Sequence, residues 1–262
     1  MNFIGIILVL STLSVFGQTH VGARFASMSY ATVALQDVWS AQQNQAGLCG
    51  LEKPIFSIGS APGFLGNTIQ TQALVVAVPY RSHVFGLSFQ RYGITEYNEQ
   101  KVGLSYARSF NTLSVALHSN YHQFYIQNYG SAQGFSIEAG LQYWANQKLC
   151  LGIHIANPNQ STYGTSGLPI PRQIQIGASY RFSDQLLLAS GVNQLSNNLR
   201  DMYTALEYSL LKWFLLRGGV SINPLKHYVG FGMYYGSFRF DVATSSHAVL
   251  GYTPQLTLSY EL

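Results

Sequence analysis

Charged residues are scarce in this chain. Only 9% of its 262 residues are Asp, Glu, Lys or Arg, against about a quarter in soluble globular domains. The 14 basic residues are scattered and form no cluster, so the chain lacks the basic patch of a nucleic-acid-binding protein. We predict no nucleic-acid partner. The formal net charge of +4 indicates no more than a modest attraction to anionic lipid headgroups.

Long apolar runs are also missing. After the first 17 residues, no run reaches the ~18 apolar residues that a transmembrane helix needs. The mean hydropathy is only +0.10, yet 14% of the residues are aromatic. Few charges, many aromatic residues and moderate hydropathy occur together in membrane β-barrels, because their outer face is apolar and their inner face is polar but mostly uncharged.

Cysteine is rare as well, with Cys49 and Cys150 alone. Export would permit a disulfide between them. The sequence does not show whether their Cα atoms approach within about 7 Å, so a bridge and two free thiols both stay open. The chain has no phosphate-binding glycine loop and no local nucleophile motif. We therefore predict a non-enzymatic protein without a cofactor, and keep a hydrolase with a triad from distant strands as an alternative.

The first residues predict export. Residues 1–17 form an apolar run that is too short to span a bilayer and that ends in Val15-Phe16-Gly17, as a signal peptidase site requires. We predict a signal peptide over residues 1–17 and the outer membrane of a Gram-negative type envelope as the destination. A buried N-terminal strand or an anchor is the alternative.

Apolar and polar residues alternate along much of the chain. Near its end, Leu256, Leu258 and Tyr260 interleave with Thr257 and Ser259, which is the two-residue period of a strand with one apolar face. Repeated behind a leader, this pattern predicts an all-β fold, a transmembrane antiparallel β-barrel over residues 51–262 with about fourteen strands, or twelve if two do not span. The predicted strands are 55–60, 69–80, 83–92, 100–109, 112–126, 134–144, 148–156, 172–182, 185–195, 201–211, 213–222, 227–235, 236–245 and 253–262.

The polar face of each strand should line the lumen, since a charge at the bilayer midplane costs about 2–4 kcal/mol. The predicted lumen-lining residues are His118, Asn120, His122, Glu138, His154, Arg181, Arg239 and Asp241. Along one strand His118 and His122 are about 13 Å apart at ~3.3 Å per residue, too far to share an ion, so we predict no metal site. Glycines on the same faces, such as Gly140 and Gly152, leave room for something inside, allow the wall to curve, or do both.

Residues 18–50 do not alternate. Their small apolar and amide side chains suit a plug packed inside a barrel. The segment contains Gly22-Ala23-Arg24, then Val33-Ala34-Leu35 with Asp37 and Ser40, then Asn44-Gln45-Ala46-Gly47-Leu48. In these residues it resembles the FadL-type transporters and the PorV/PorQ barrels of type IX secretion, although Gln45 stands where those families usually have proline.

The resemblance implies a fourteen-stranded barrel whose N-terminal segment enters the lumen as a hatch. The implied hatch residues are Asp37, Trp39, Ser40, Asn44, Gln45, Ala46 and Gly47. Our first hypothesis is a partner-binding accessory of protein secretion, with secretion-system proteins and outer-membrane lipid as partners. The alternative is a passive channel for small hydrophobic solutes, gated by the hatch.

Overall fold

Fourteen antiparallel strands close into one barrel. The computed structural model describes residues 20–62, 69–164, 167–195, 200–247 and 251–262, so the predicted signal peptide lies outside the described residues. The barrel strands are β1 (Ile55–Pro62), β2 (Gln70–Tyr80), β3 (His83–Gly93), β4 (Tyr97–Phe110), β5 (Leu113–Ile126), β6 (Gly130–Trp144), β7 (Leu149–Ala156), β10 (Gln173–Arg181), β11 (Leu186–Leu195), β12 (Arg200–Leu211), β13 (Phe214–Ser221), β14 (Lys226–Tyr235), β15 (Phe238–His247) and β16 (Gly251–Glu261). This confirms the predicted fold and the count of fourteen rather than twelve.

Each strand pairs with its neighbours in the chain, and the barrel closes where β1 pairs with β16. Ile55 lies opposite Glu261 there, and the Leu262 amide donates to the Pro54 carbonyl at 3.0 Å. In the described part of the chain every barrel strand thereby pairs with two neighbours, which satisfies backbone polar groups that hydrocarbon cannot solvate. No helix among the described residues is long and apolar enough to cross a bilayer.

The two ends of the barrel differ. Tight turns join strands at the end where β1 begins, for example at residues 81–82 and 111–112. The connection between β7 and β10 lies at the other end and is the longest, and it contains a small hairpin of β8 (Thr162–Tyr163) and β9 (Leu168–Pro169). Bacterial barrels keep short turns on the periplasmic side and longer loops outside, so we assign the longer-loop end to the exterior.

The outer face is apolar. Leu104, Leu117 and Ile176 are 61%, 62% and 56% exposed, and Tyr106 and Phe110 follow Leu104 on the same face of β4 toward the short-turn end. So much exposed apolar area would be unfavourable in water, but it matches the hydrocarbon core and the aromatic belts of a membrane barrel.

Arginine in place of Leu104, near the middle of β4, is expected to lower the free energy of unfolding in lipid vesicles by about 2–4 kcal/mol. The reason is that the charge would face hydrocarbon. The matched control is Leu211→Arg at the end of β12, where the expected loss is about 0–1 kcal/mol because interfacial charges reach water. Urea titration of vesicle-embedded protein measures both, and equal losses would contradict the assignment of the outer face.

Candidate functional site

The lumen is filled by residues 20–50, which we call the hatch. It contains an α-helix over Ala23–Ser27 and two 3₁₀ helices over Val38–Gln42 and Gln45–Gly50. Asp37 caps the first 3₁₀ helix by accepting from the Trp39 amide at 3.0 Å, and Asn44 caps the second by accepting from the Ala46 amide at 3.2 Å. The seven predicted hatch residues, Asp37, Trp39, Ser40, Asn44, Gln45, Ala46 and Gly47, are all buried in this segment.

Inner-wall glycines give the hatch its space. A Cβ atom at Gly140 would lie 2.1 Å from Asn44 Oδ1, and one at Gly152 would lie 2.2 Å from the Val33 carbonyl oxygen. Side chains at these positions would collide with the hatch. Of the two interpretations that the sequence left open for these glycines, the structure supports room for an internal segment.

Six charged side chains join the hatch to the wall in a closed cycle of ion pairs, which we call the charge ring. Three arginines and three carboxylates alternate, so the formal charges cancel. Going around the ring, the contacts are Arg24–Asp37 at 2.9 Å, Asp37–Arg239 at 2.8 Å, Arg239–Asp241 at 2.8 Å, Asp241–Arg217 at 2.7 Å, Arg217–Glu207 at 2.6 Å and Glu207–Arg24 at 2.8 Å.

Asp37 is the hatch's acidic member of the charge ring. Burial would raise the pKa of its carboxyl group, but Arg239 and Arg24 outweigh that effect and lower the pKa to about 2. The side chain is therefore ionised at neutral pH. It is bonded on both sides, which a buried charge requires.

A second buried cluster surrounds Glu138 on β6. The Asn120 amide donates to Glu138 at 2.6 Å, and Lys101 Nζ lies 3.1 Å away. His154 Nε2 is 3.0 Å from the same carboxylate, and the Gln45 amide of the hatch donates to it at 2.8 Å. We call these five residues the Glu138 cluster. It is a second point at which the wall holds the hatch.

The structure separates the predicted lumen-lining residues into groups. His118, Asn120, Glu138 and His154 are buried in or beside the Glu138 cluster, and His122 is buried one step further toward the exterior, where Nε2 contacts Ser136 Oγ at 2.8 Å. Arg239 and Asp241 belong to the charge ring. Arg181 lies apart, exposed where β10 ends at a short turn. Among the described residues no group of His, Cys, Asp or Glu is placed to hold a metal ion.

Several site residues were not predicted. Glu207 and Arg217 complete the charge ring, and Lys101 completes the Glu138 cluster. Glu207 lies between the outward-facing residues Leu206 and Tyr208, so the alternation that placed Glu138 inside carried the same signal for Glu207. Arg217 and Lys101 each have a large apolar neighbour on one side only, Leu216 and Val102, so their signal was weaker.

A cavity of about 490 Å³ lies between the hatch and the longer loops. The hatch contributes His20, Gln42 and Gln43 to it. Burial lowers the pKa of His20 to about 4, so this imidazole is neutral at pH 7. The barrel contributes strands β4 to β7, β10 and β11, and the β8–β9 hairpin contributes Tyr163, Leu168 and Pro169.

One side of the cavity is bounded by a loop segment instead of a paired strand. The last pair between β6 and β7 joins Glu138 to Ala156, although β6 continues as far as Gly130. The segment after Ala156 covers the remaining half of β6. Asn157 fastens this segment by donating from its side chain to the Ile170 carbonyl at 2.7 Å.

Cys49 and Cys150 are both free thiols. Cys150 is fully buried on the inner face of β7. It lies opposite Ser179, whose hydroxyl donates to the Ala34 carbonyl of the hatch at 2.9 Å. The hatch therefore covers the wall around Cys150.

Solved structures share this architecture. They include the toluene transporter TbuX of Ralstonia pickettii, with a TM-score of 0.73 and 14% identity over 95% of this chain and 100% of that chain. The CymD monoaromatic hydrocarbon channel has a TM-score of 0.71 and 12% identity over 92% of this chain and 97% of that chain. A FadL homologue of Pseudomonas aeruginosa has a TM-score of 0.63 and 13% identity over 92% and 98%.

No protein-family model matches the sequence, and no curated protein does. At 12–14% identity the structural likeness establishes the fold. The chain is a fourteen-stranded antiparallel barrel with its N-terminal segment inside the lumen, and it shares this fold with those structures.

Proposed function

We propose that this protein is an outer-membrane channel for small hydrophobic solutes, with residues 20–50 as its movable gate. The observation that carries the proposal is the cavity on the exterior side of the hatch, which has apolar upper walls and is closed below by Gln42 and Gln43. Neighbouring structures that are described as toluene transporters and a monoaromatic hydrocarbon channel support this alternative over an accessory role in secretion.

The cavity is large enough for such a solute. An apolar cavity of about 150 Å³ is enough to bind benzene, and ligand pockets commonly measure roughly 300–1,000 Å³. At about 490 Å³, the cavity accommodates a substituted aromatic molecule. Passage through the barrel then requires the hatch to move, because the hatch fills the lumen below.

A reversible lock on the hatch tests this function. Val33 Cγ1 lies 2.7 Å from the Cβ position of Gly177, and the Ser190 carbonyl oxygen lies 2.5 Å from the same position. Cysteines at positions 33 and 177, in a chain carrying Cys49→Ser and Cys150→Ser, are therefore close enough to form a disulfide, but Gly177→Cys alone also crowds the wall. We expect uptake of labelled toluene by cells that have this barrel as their hydrocarbon channel to stop on oxidation and to recover on reduction.

The matched controls carry Val33→Cys alone and Gly177→Cys alone in the same background, and the uptake of neither should respond to oxidant. Equal uptake by the oxidised and reduced double-cysteine protein would contradict a gating role for the hatch. That outcome, together with co-purification of secretion components, would favour the accessory role instead.

A further inference from the structure

The cavity wall changes character with depth. In the register of β4 and β5, Lys101 lies opposite His122, while Tyr97 lies opposite Ile126 at the exterior end. Four residues of strand separate these levels, or about 13 Å at ~3.3 Å per residue. The deeper level holds polar side chains, and the upper level is aromatic and aliphatic apart from Glu99, which lies opposite Phe124.

The upper level is built from several parts of the chain. Phe124 and Tyr163 pack edge to face with ring centroids 5.1 Å apart. Leu168 and Ile170 of the covering segment and Leu195 of β11 line the cavity as well. This level offers a site for an apolar body, above all a ring that stacks on other rings.

The floor is a hydrogen-bonding surface. It consists of Lys101, His122 and Glu138 on the wall together with Gln42 and Gln43 of the hatch. Lys101 Nζ contacts Glu138 at 3.1 Å, and its side chain is 16% exposed. An ammonium group carries three donors, so one ion pair leaves this group able to donate to a ligand in the cavity.

The formal charges on the cavity wall limit the ligand further. The charged side chains that line it, within the described part of the chain, are Glu99, Lys101 and Glu138, and their sum is −1. An anionic ligand would bring a third negative charge next to two carboxylates, which is unfavourable in a partly desolvated site. An uncharged hydrogen-bond acceptor meets no such repulsion at Lys101.

We infer that the cavity binds uncharged aromatic amphiphiles that carry a hydrogen-bond acceptor, such as an aromatic ketone, in preference to bare hydrocarbons or aromatic carboxylates. The ring lies in the upper level, and the acceptor receives a hydrogen bond from Lys101. This inference rests on the proposed channel function and names the solute class. Lys101 becomes a specificity-determining residue.

Binding to the detergent-solubilised full-length barrel tests the inference without any transport step. The probes are acetophenone, toluene and benzoate, which share a ring and differ at the substituent. Affinities are measured by ligand-observed NMR against protein-free micelles. We expect acetophenone to bind about tenfold more tightly than toluene, as one hydrogen bond from a charged donor allows, and benzoate to bind more weakly than acetophenone.

Lys101→Met should bring the acetophenone-to-toluene affinity ratio close to one, whereas Lys101→Arg should keep it, because arginine still donates. Lys212→Met removes a charge from an exposed turn between β12 and β13 and serves as the matched control, with the wild-type ratio expected. Resistance of the folded barrel to SDS unfolding without heating verifies that each variant is folded.

Equal or tighter binding of toluene by the wild-type protein would overturn the inference, even if no variant folded. A wild-type ratio in folded Lys101→Met would overturn the role of Lys101. The proposed channel function is tested by a different measurement: it is contradicted if toluene uptake is the same with the disulfide lock formed and reduced. If the barrel binds acetophenone selectively but its toluene uptake does not respond to the disulfide lock, the proposed binding site is supported and the gating role of the hatch is contradicted.

Discussion

Replacing Asp37 with asparagine is expected to release the hatch from the wall. Asparagine retains an oxygen that can cap the Trp39 amide, so the substitution removes the charge while preserving the local turn. It leaves Arg24 and Arg239 facing a neutral amide. Removing one partner of a buried ion pair typically costs about 3–5 kcal/mol, because the remaining charge is uncompensated.

Cys150 supplies the measurement for Asp37→Asn. In a Cys49→Ser background it is the single thiol, and it is fully buried at a wall position beside the hatch. We expect its labelling rate by a soluble thiol reagent to rise at least about a hundredfold, in line with a loss of about 3 kcal/mol or more from the closed state.

Two comparisons sharpen the result for Asp37→Asn. Glu261→Gln breaks an exposed pair with Lys53 at 3.3 Å and should leave labelling unchanged, because exposed pairs contribute little. Combining Asp37→Asn with Arg239→Gln returns the ring to zero net charge and should recover part of the loss. The labelling rates of Asp37→Asn, Arg239→Gln and the double variant each give a loss of free energy from the closed state. If the loss in the double variant equals the sum of the losses in the two single variants, the ring does not act as a coupled unit.

Alanine at Gly152 should also displace the hatch, by a steric route instead of an electrostatic one. Its Cβ atom would lie 2.2 Å from the Val33 carbonyl oxygen and 2.9 Å from the Ala34 nitrogen. Both are backbone atoms that cannot rotate away as a side chain could. Overpacking of this kind costs about 1–3 kcal/mol, so we expect Cys150 labelling to rise roughly 5- to 150-fold.

Gly218→Ala is the matched control for Gly152→Ala. The nearest atom to a Cβ at Gly218 is the Tyr228 carbonyl oxygen at 3.8 Å, an ordinary contact distance. Both variants should fold as barrels in vesicles, and only Gly152→Ala should expose the thiol. If both variants leave Cys150 unreactive, the hatch does not cover this part of the wall as tightly as the contacts indicate.

Much of the barrel could be predicted from the sequence because its signal is local. In β10, for example, Ile174 and Ile176 alternate with Gln173 and Gln175. A few such residues are enough to predict which face of the strand is apolar and which is polar. The prediction failed where this period is absent. Residues 130–133 are small or polar, so the outer part of β6 was left out, and the two-residue strands β8 and β9 are too short to show a period.

The contacts between the hatch and the wall, unlike the strands, could not be predicted from the sequence. Alternation assigned Arg239 and Asp241 to the inner face, but it did not say which residues they would meet. Arg24 bonds Glu207 across 183 residues, and Arg239 bonds Asp37 across 202. Such pairs exist only after the barrel has closed around the hatch, and no pattern within one segment of the chain encodes them. The same holds for Gln45 and Glu138.

The seam between β1 and β16 sets an order for assembly. Among the described barrel strands β1 comes first along the chain and β16 last, so β1 lacks one of its two partners until residues 251–261 have been synthesised. Long-range pairing of this sort forms slowly. Closure of the barrel therefore follows synthesis of β16, and the hatch, which precedes β1, has to be inside before the wall closes or must enter from the short-turn end afterwards.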